Sequence, residues 1–479
     1  MDSFEAVSKL AFEMYNAGRH DEAEALCRML MLQNPQDVQL LFLLGMVLHK
    51  TGRHEEAVTW LCRAAEAGPP QARVFNGLGC AYQSLKDWAR AADSFAKAIE
   101  LEPQTGSTYY SLGNVSYELG DIERAVSSFR KAVELDPHDA ESWNNLGKCL
   151  KELNLLEESI AAYDRALESA PDSALAHYGR AISLLTAGRL QEGFREYEWR
   201  RRRRVPRQFP QPAWKGEAGA RKTLFLHAEQ GFGDAIQAAR FVALARQRVA
   251  RVILECRPEL KTLFGYSACA DVVIAYGEPI PPFDCFTSLI SLAGILGVTL
   301  ETVPRRTPYL KAPRFENLPP APVGDLHVGL AWAGNPGHHD DASRSLRLEE
   351  LIPILQTPGV TFYSLQVPVP SGDAACLGAF ANVVELGGRF KDFLDTASAV
   401  AEMDLVISVD TAVAHLAGAL ARPVWTLVQY APDWRWFLDR ADTVWYPTMR
   451  LFRQPQKGQW QPVIKRAAEL LRGLSSGAA

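Results

Sequence analysis

PQTGSTYYSLGNVSYELGDIERAVSSFRKAVELDP, residues 103–137, opens and closes on prolines 34 residues apart. The same interval is kept by prolines at 35, 69 and 171 and by glycines at 45, 79, 113 and 147. Ala57, Ala91 and Ala125 keep it, with Ser159 in the next unit, and so do Ala64, Ala98, Ala132 and Ala166. Each unit holds two runs of apolar residues at helical spacing. Small residues let two antiparallel helices approach closely, and the proline ends the second helix. Leu61, Phe95, Phe129 and Tyr163 are then the large residues expected to fill the space between the helices of a pair.

A two-helix unit of this length resembles the tetratricopeptide repeat. The resemblance covers about six units over residues 1–205 and implies an α-helical superhelix. The first unit has Ala11 in place of the glycine, and the last has Ala181 and Gly193 at its two small positions. Atypical terminal units are expected where they cap a stack. First helices line the inner wall, where Asn76, Tyr110, Asn144 and Tyr178 recur at one position, with Asn114 and Lys148 one turn further on. These are the candidates for binding a protein segment; solvated wall residues are the structural alternative. O-linked N-acetylglucosamine transferases carry an asparagine ladder on such a wall. Here the equivalent position reads Leu43, Gly77, Ser111 and Asn145, so the ladder is absent.

At 479 residues the chain exceeds one ordinary domain, and 47% hydrophobic with 22% charged residues is globular composition. A net charge of −5 gives no general attraction to nucleic acid or anionic membrane. The run Arg200 to Arg204 reads as a solvated or acid-paired helix end following Glu196 and Glu198. Eight scattered cysteines without a C-x-x-C pair form neither a disulfide framework nor a zinc pattern. With no signal core and no long apolar run, a cytoplasmic protein without a membrane span is expected.

Residues 206–221 break the period with prolines and glycines and read as a linker. Beyond them, TLFLHA, RVILEC and DVVIAY form one set of apolar runs, and HVGLAWAG, TFYSLQV, DLVISVD and PVWTLV a second. Runs alternating with helical segments argue for two parallel sheets in Rossmann-like halves, 222–315 and 324–479. Ligands of such halves lie beyond the carboxyl ends of strands. Three loops there carry chemistry: AEQGFGDAIQ (228–237), AWAGNPGHHDDASRS (331–345) and SVDTAVAH (408–415).

In the third loop, Asp410 or Thr411 would cap a helix whose free N–H groups, from Ala412 onward, suit a diphosphate. His415, one turn on, is either a phosphate donor or a packed core histidine. In the second loop, His338, His339, Asp340 and Asp341 have the chemistry of metal ligands. Adjacent residues rarely face one ion, and no metal site is expected. Arg344 suits phosphate, which a guanidinium grips through paired hydrogen bonds. In the first loop, Asp234 follows two glycines and is either a helix cap or a base.

Residues 222–470 resemble the heptosyltransferase-related glycosyltransferases of family nine, in the form fused behind tetratricopeptide repeats. The carrying residues are Gly231, Gly233 and Asp234; Gly334, Asn335, His338, Asp341, Arg344 and Ser345; Asp410, Thr411 and His415; and the stretch YAPDWRWFLDRADTVWYPTMRLFRQ (430–454). Ala412 stands where that family usually has glycine. The resemblance implies a GT-B fold with the acceptor on the first half, at Gln230, Gly231 and Gly233. The nucleotide-sugar is expected on the second, at Trp332, Asn335, His338, Asp341, Arg344, Ser345, Asp410, Thr411, Ala412, His415, Tyr430 and Trp434. It implies no metal or other cofactor, Asp234 as the base of an inverting displacement, and a donor of the ADP-heptose or CMP-nonulosonic acid type. The glycines would admit the acceptor closely; Trp332, Tyr430 and Trp434 either stack on base or sugar or, as aromatic side chains more often do, belong to the core.

An array in front of a transferase suggests a protein acceptor modified on Ser or Thr. The similar array-fused enzymes that act on bacterial flagellins make flagellin the specific acceptor to test. Three other readings stand beside it: a heptosyltransferase-like enzyme of surface polysaccharide, a scaffold with a degenerate transferase, and a dehydrogenase. The last would take Gly231 and Gly233 as a dinucleotide turn and Glu255 as the ribose ligand, leaving Ile236 and the Asp410–Thr411 strand end unexplained.

Overall fold

The computed structural model describes residues 2–203, 207–337 and 341–477. The chain divides into two compact units, Met1–Arg180 and Ala181–Ala479.

The first unit is a stack of helix pairs, beginning with Asp2–Asn16 and His20–Met31 and running to Ala140–Glu152 and Leu156–Ser169. The periodic residues meet as the period predicts. A Cβ on Gly79 would lie 2.5 Å from the Phe95 ring, on Gly113 2.7 Å from Phe129, and on Gly147 3.0 Å from Tyr163. Gly45 stands likewise 2.6 Å from Leu61. The absent side chain of one helix is the space filled by the large one of its partner. Asp37, Asp87, Asp121 and Asp139 cap four of the helices by accepting first-turn N–H groups.

The second unit holds two parallel sheets. The first is ordered β3-β2-β1-β4, with β1 Gly219–His227, β2 Val249–Cys256, β3 Val272–Ala275 and β4 Cys285–Ser288. The second is ordered β10-β9-β8-β5-β6-β7, with β5 Leu326–Ala331, β6 Val360–Ser364, β7 Val383–Glu385, β8 Leu405–Val409, β9 Val424–Val428 and β10 Met449–Arg453. Strand order reverses beside β1 in one sheet and between β5 and β8 in the other, the switch points beyond whose carboxyl ends ligands of open α/β sheets bind. Those are the strands that lead into the three loops singled out above.

Stretch 207–218, expected to be linker, lies against the first sheet. Trp214 is buried, its backbone N–H donates to the Phe286 carbonyl at 2.8 Å, and Phe209 packs on Phe225, Phe283 and Phe286. Of the arginine run, Arg200 is buried and pairs with Glu198 and Glu229, each at 2.7 Å, so it is acid-paired; Arg204 lies outside the described residues. All eight cysteines are free, and among the described residues no helix is long and apolar enough to cross a membrane.

Candidate active site

β1 ends at His227, and the turn that follows starts the helix Phe232–Ala238. Asp234 turns back so that its Oδ2 accepts the Gly231 N–H at 2.9 Å, the helix-capping alternative. Its other oxygen, Oδ1, is ion-paired with Arg435 of the second sheet's half. Gly231 is exposed, whereas Gly233 faces the other half. A Cβ on Gly233 would lie 2.8 Å from His415 Cδ2, so what Gly233 admits is the helix Ala412–Ala419.

That helix begins directly after β8. Thr411 has extended backbone and makes no capping hydrogen bond; its hydroxyl lies 3.0 Å from that of Ser408. Thr411, Ala412 and Val413 remain half-buried while the rest of the helix is buried. The first-turn N–H groups are therefore presented at a helix start with a positive dipole end. His415 is not presented there. It is buried, its Nδ1 lies 2.9 Å from the Tyr446 hydroxyl, and its ring stacks on Trp436 at 5.1 Å. Burial, followed by the charges of Arg435, Arg240 and Arg344, pushes its pKa well below the usual range and keeps it neutral. Its Nε2 lies 4.0 Å from Asp410. Burial also raises the Asp410 carboxyl to about 6, and the charge of Asp433 adds to this.

The loop leaving β5 folds tightly on itself. Gly334 N donates to Ser345 Oγ at 2.8 Å, and a Cβ there would collide with Asp341 and lie 2.7 Å from Arg344. Asp341 and Arg344 pair at 3.2 Å. Asn335 is exposed and accepts the Gly337 N–H at 3.0 Å. His338, His339 and Asp340 lie outside the described residues. Of the three aromatic candidates, two take the core alternative. Trp332 is fully buried with its indole N–H on Asp373 at 2.6 Å. Trp434 is buried edge-on between Phe194 and Trp445. Tyr430 and Gln230 are half-buried. Glu255, the ribose ligand of a dehydrogenase, is fully buried and paired with Arg207.

The seam between the halves holds residues that the sequence reading passed over. Arg435 donates to Gln237 Oε1 at 2.5 Å and to Asp433 at 2.8 Å, besides Asp234. Arg240 donates to the Trp445 carbonyl at 2.5 Å and the Tyr309 hydroxyl at 3.0 Å, and lies over the Tyr446 ring at 4.5 Å. One signal for Arg435 stood in the sequence: an arginine between two tryptophans, with an aspartate two residues before it.

On the array, four of the predicted wall residues have partners within the stack. Asn145 donates to Asn114 at 2.9 Å and accepts from Asn144 at 3.2 Å. Asn144 is buried, which corrects its reading as a wall contact. Tyr110 donates to Glu141 at 3.0 Å, and Lys148 sits 3.8 Å above the Tyr117 ring. Asn76 and Tyr178 are half-buried.

Comparison with known proteins agrees with both units. Tetratricopeptide-repeat models match residues 14–78, 76–140, 110–174 and 144–200. The model for glycosyltransferase family 9 (heptosyltransferase) matches residues 355–437. Protein FlbA of Caulobacter vibrioides is 29% identical over 345 residues, covering 64% of this chain and 56% of that protein. The match thus spans little more than half of that relative's length. Similar solved structures include YrrB, a TPR protein with an unusual peptide-binding site, at 22% identity with a TM-score of 0.35 over 37% of this chain and 91% of that one. Another is a thermophilic TPR protein of Thermus thermophilus, at 24% identity with a TM-score of 0.31 over 38% of this chain and 99% of that one. The chain thus carries tetratricopeptide repeats over residues 14–200 and, at residues 355–437, a segment matching the glycosyltransferase family 9 (heptosyltransferase) model, within a region whose two parallel sheets are consistent with a GT-B-like fold.

Proposed function

We propose that the protein is a metal-independent, inverting O-glycosyltransferase that moves a sugar from a nucleotide-sugar to Ser or Thr of a protein recruited by the array. The observation that carries this reading is the meeting of two loops. The turn bearing Asp234 lies directly against the uncapped first turn of Ala412–Ala419, with a Gly233 Cβ position 3.6 Å from Ala412 Cα. One loop offers a carboxylate and the other a place for anionic oxygens.

In this mechanism the diphosphate, or the single phosphate of a CMP-sugar, rests on the N–H groups following Thr411 with Arg344 alongside. The acceptor hydroxyl gives its proton to Asp234, its oxygen bonds to the anomeric carbon, and the bond to the phosphate oxygen breaks. The leaving nucleotide takes the electron pair, and the helix start and Arg344 stabilise its charge. Asp234 already accepts from Gly231 and Arg435, yet a carboxylate has about four lone-pair positions and keeps room for one more donor. Flagellin is the narrowest form of the acceptor proposal. An ADP-heptose donor is the form that the heptosyltransferase description of the matching family favours.

The test is a thermal-shift panel of ADP-, UDP-, GDP- and CMP-sugars with NAD as control, followed by a transfer assay on candidate acceptors. One nucleotide-sugar class should raise Tm, and Asp234→Ala should keep that shift while losing transfer. A response to NAD alone, or undiminished transfer by Asp234→Ala, would refute the reading.

A further inference from the structure

Asp433 and Arg435 lie in the segment between β9 and β10, on the half that is proposed to hold the donor. Arg435 is buried, and each of its three side-chain nitrogens has a partner. Nε donates to Gln237, Nη1 to Asp433 and Nη2 to Asp234, while the guanidinium lies 4.3 Å over Trp434. Its own carbonyl accepts the Trp445 indole N–H at 2.8 Å, and its N–H rests on Asp433 at 3.0 Å. A buried cation so fixed has no freedom to follow Asp234, so Asp234 must follow it. With Gly231 N–H on the other oxygen, the carboxylate is held at both ends in one rotamer.

The charge count also matters. A lone arginine–aspartate pair resists protonation of the acid, because the buried cation would be left unpaired. Here Arg435 has two carboxylates, Asp433 and Asp234, so the three together carry one surplus negative charge. Asp234 can take a proton while Asp433 still neutralises Arg435.

We propose that Arg435, backed by Asp433, is the positioning residue of the acceptor-side base: the donor-side half aims Asp234, so that the base is assembled only from both halves. This rests on the reading of Asp234 as the base. The other groups that interact with the trio are Tyr197 beside Arg435, Asp410, which feels both Asp433 and Arg435, and neutral His415, which feels Arg435; Arg344 acts on Asp410 and His415, and Arg240 on His415. They are the same in every variant compared.

The experiment compares kcat, KM and the pH–rate profile of the full-length protein with Arg435→Gln, Asp433→Asn and Asp234→Ala. Arg435→Gln should lower kcat about 100-fold, within the range that general-base catalysis supplies, with little change in binding of ADP, UDP, GDP or CMP. Without the cation, the acid limb of its profile should move to higher pH. Asp433→Asn removes a negative charge and should move the same limb to lower pH. Opposite displacements by two neighbouring substitutions are not produced by loss of structure alone, and Asp433→Asn keeps the test open should Arg435→Gln fold poorly. If both variants lose rate in step with Tm and neither limb moves, the positioning role is overturned. Unchanged kcat and profile in Arg435→Gln, with Asp234→Ala inactive, would overturn it while leaving the base assignment intact. A fully active Asp234→Ala would overturn both.

Discussion

Gly233 and His415 touch across the two halves: a Cβ on the glycine would lie 2.8 Å from the histidine ring. The ring has nowhere to retreat, because Trp436 stacks on one face and the Tyr446 hydroxyl holds Nδ1 at 2.9 Å. Gly233→Ala is therefore expected to cost about 1–3 kcal/mol, the usual penalty for a methyl forced into packed surroundings. Urea denaturation measures it. Because the clash lies where the Asp234 turn meets the start of Ala412–Ala419, nucleotide affinity should fall in the same variant. A stable Gly233→Ala with unchanged affinity would show that this seam yields easily.

Asp410 and His415 give stability opposite slopes with pH. The carboxyl of Asp410 is raised from 3.8 to about 6, so the folded state holds a proton that the unfolded chain has lost between those values. Its contribution is present below pH 4 and is lost as pH rises to about 6, by about 3 kcal/mol in all. His415 is depressed well below 6.5, so its contribution is present above that value and is lost as pH falls. Asp410→Asn should then stabilise the protein at pH 7–8 and leave a profile that declines only toward acid. Denaturation midpoints at pH 5, 6, 7 and 8 check this. No gain for the variant at pH 8 would mean that Asp410 ionises in the fold without penalty.

The array was legible because each repeat states the same constraint again: glycine on one helix, a large residue sixteen positions later on the next, as with Gly113 and Phe129. The apolar runs of β1, β2, β3, β5, β6, β8 and β9 were legible for a similar reason, since a strand buried on both faces shows as an unbroken run. β4, Cys285–Ser288, β7, Val383–Glu385, and β10, Met449–Arg453, mix polar with apolar residues and do not stand out. The loops of the site were found through the strand ends that carry them. Which way their side chains point was not legible. Trp332 and Trp434 stood beside the right loops but face inward, because strand register and the tertiary core decide that. Arg435 was passed over because its meaning lies in a pairing 201 residues away in the chain.

Within the array, Gly113→Ala should act through Phe129 and little else. The added methyl would lie 2.7–2.8 Å from three ring atoms, and Phe129 is itself buried. A cost of about 1–3 kcal/mol is expected, felt as faster amide exchange in the helices Gly106–Glu118 and Ile122–Leu135. Phe129→Leu alone should also destabilise, by leaving a cavity. Combined, the methyl occupies part of the space that the smaller side chain vacates, so the double variant should be more stable than the sum of the two losses. Hydrogen exchange on the two single variants and the double closes this cycle. Strict additivity would mean that the two residues do not share the space, and that the period reflects helix ends rather than packing.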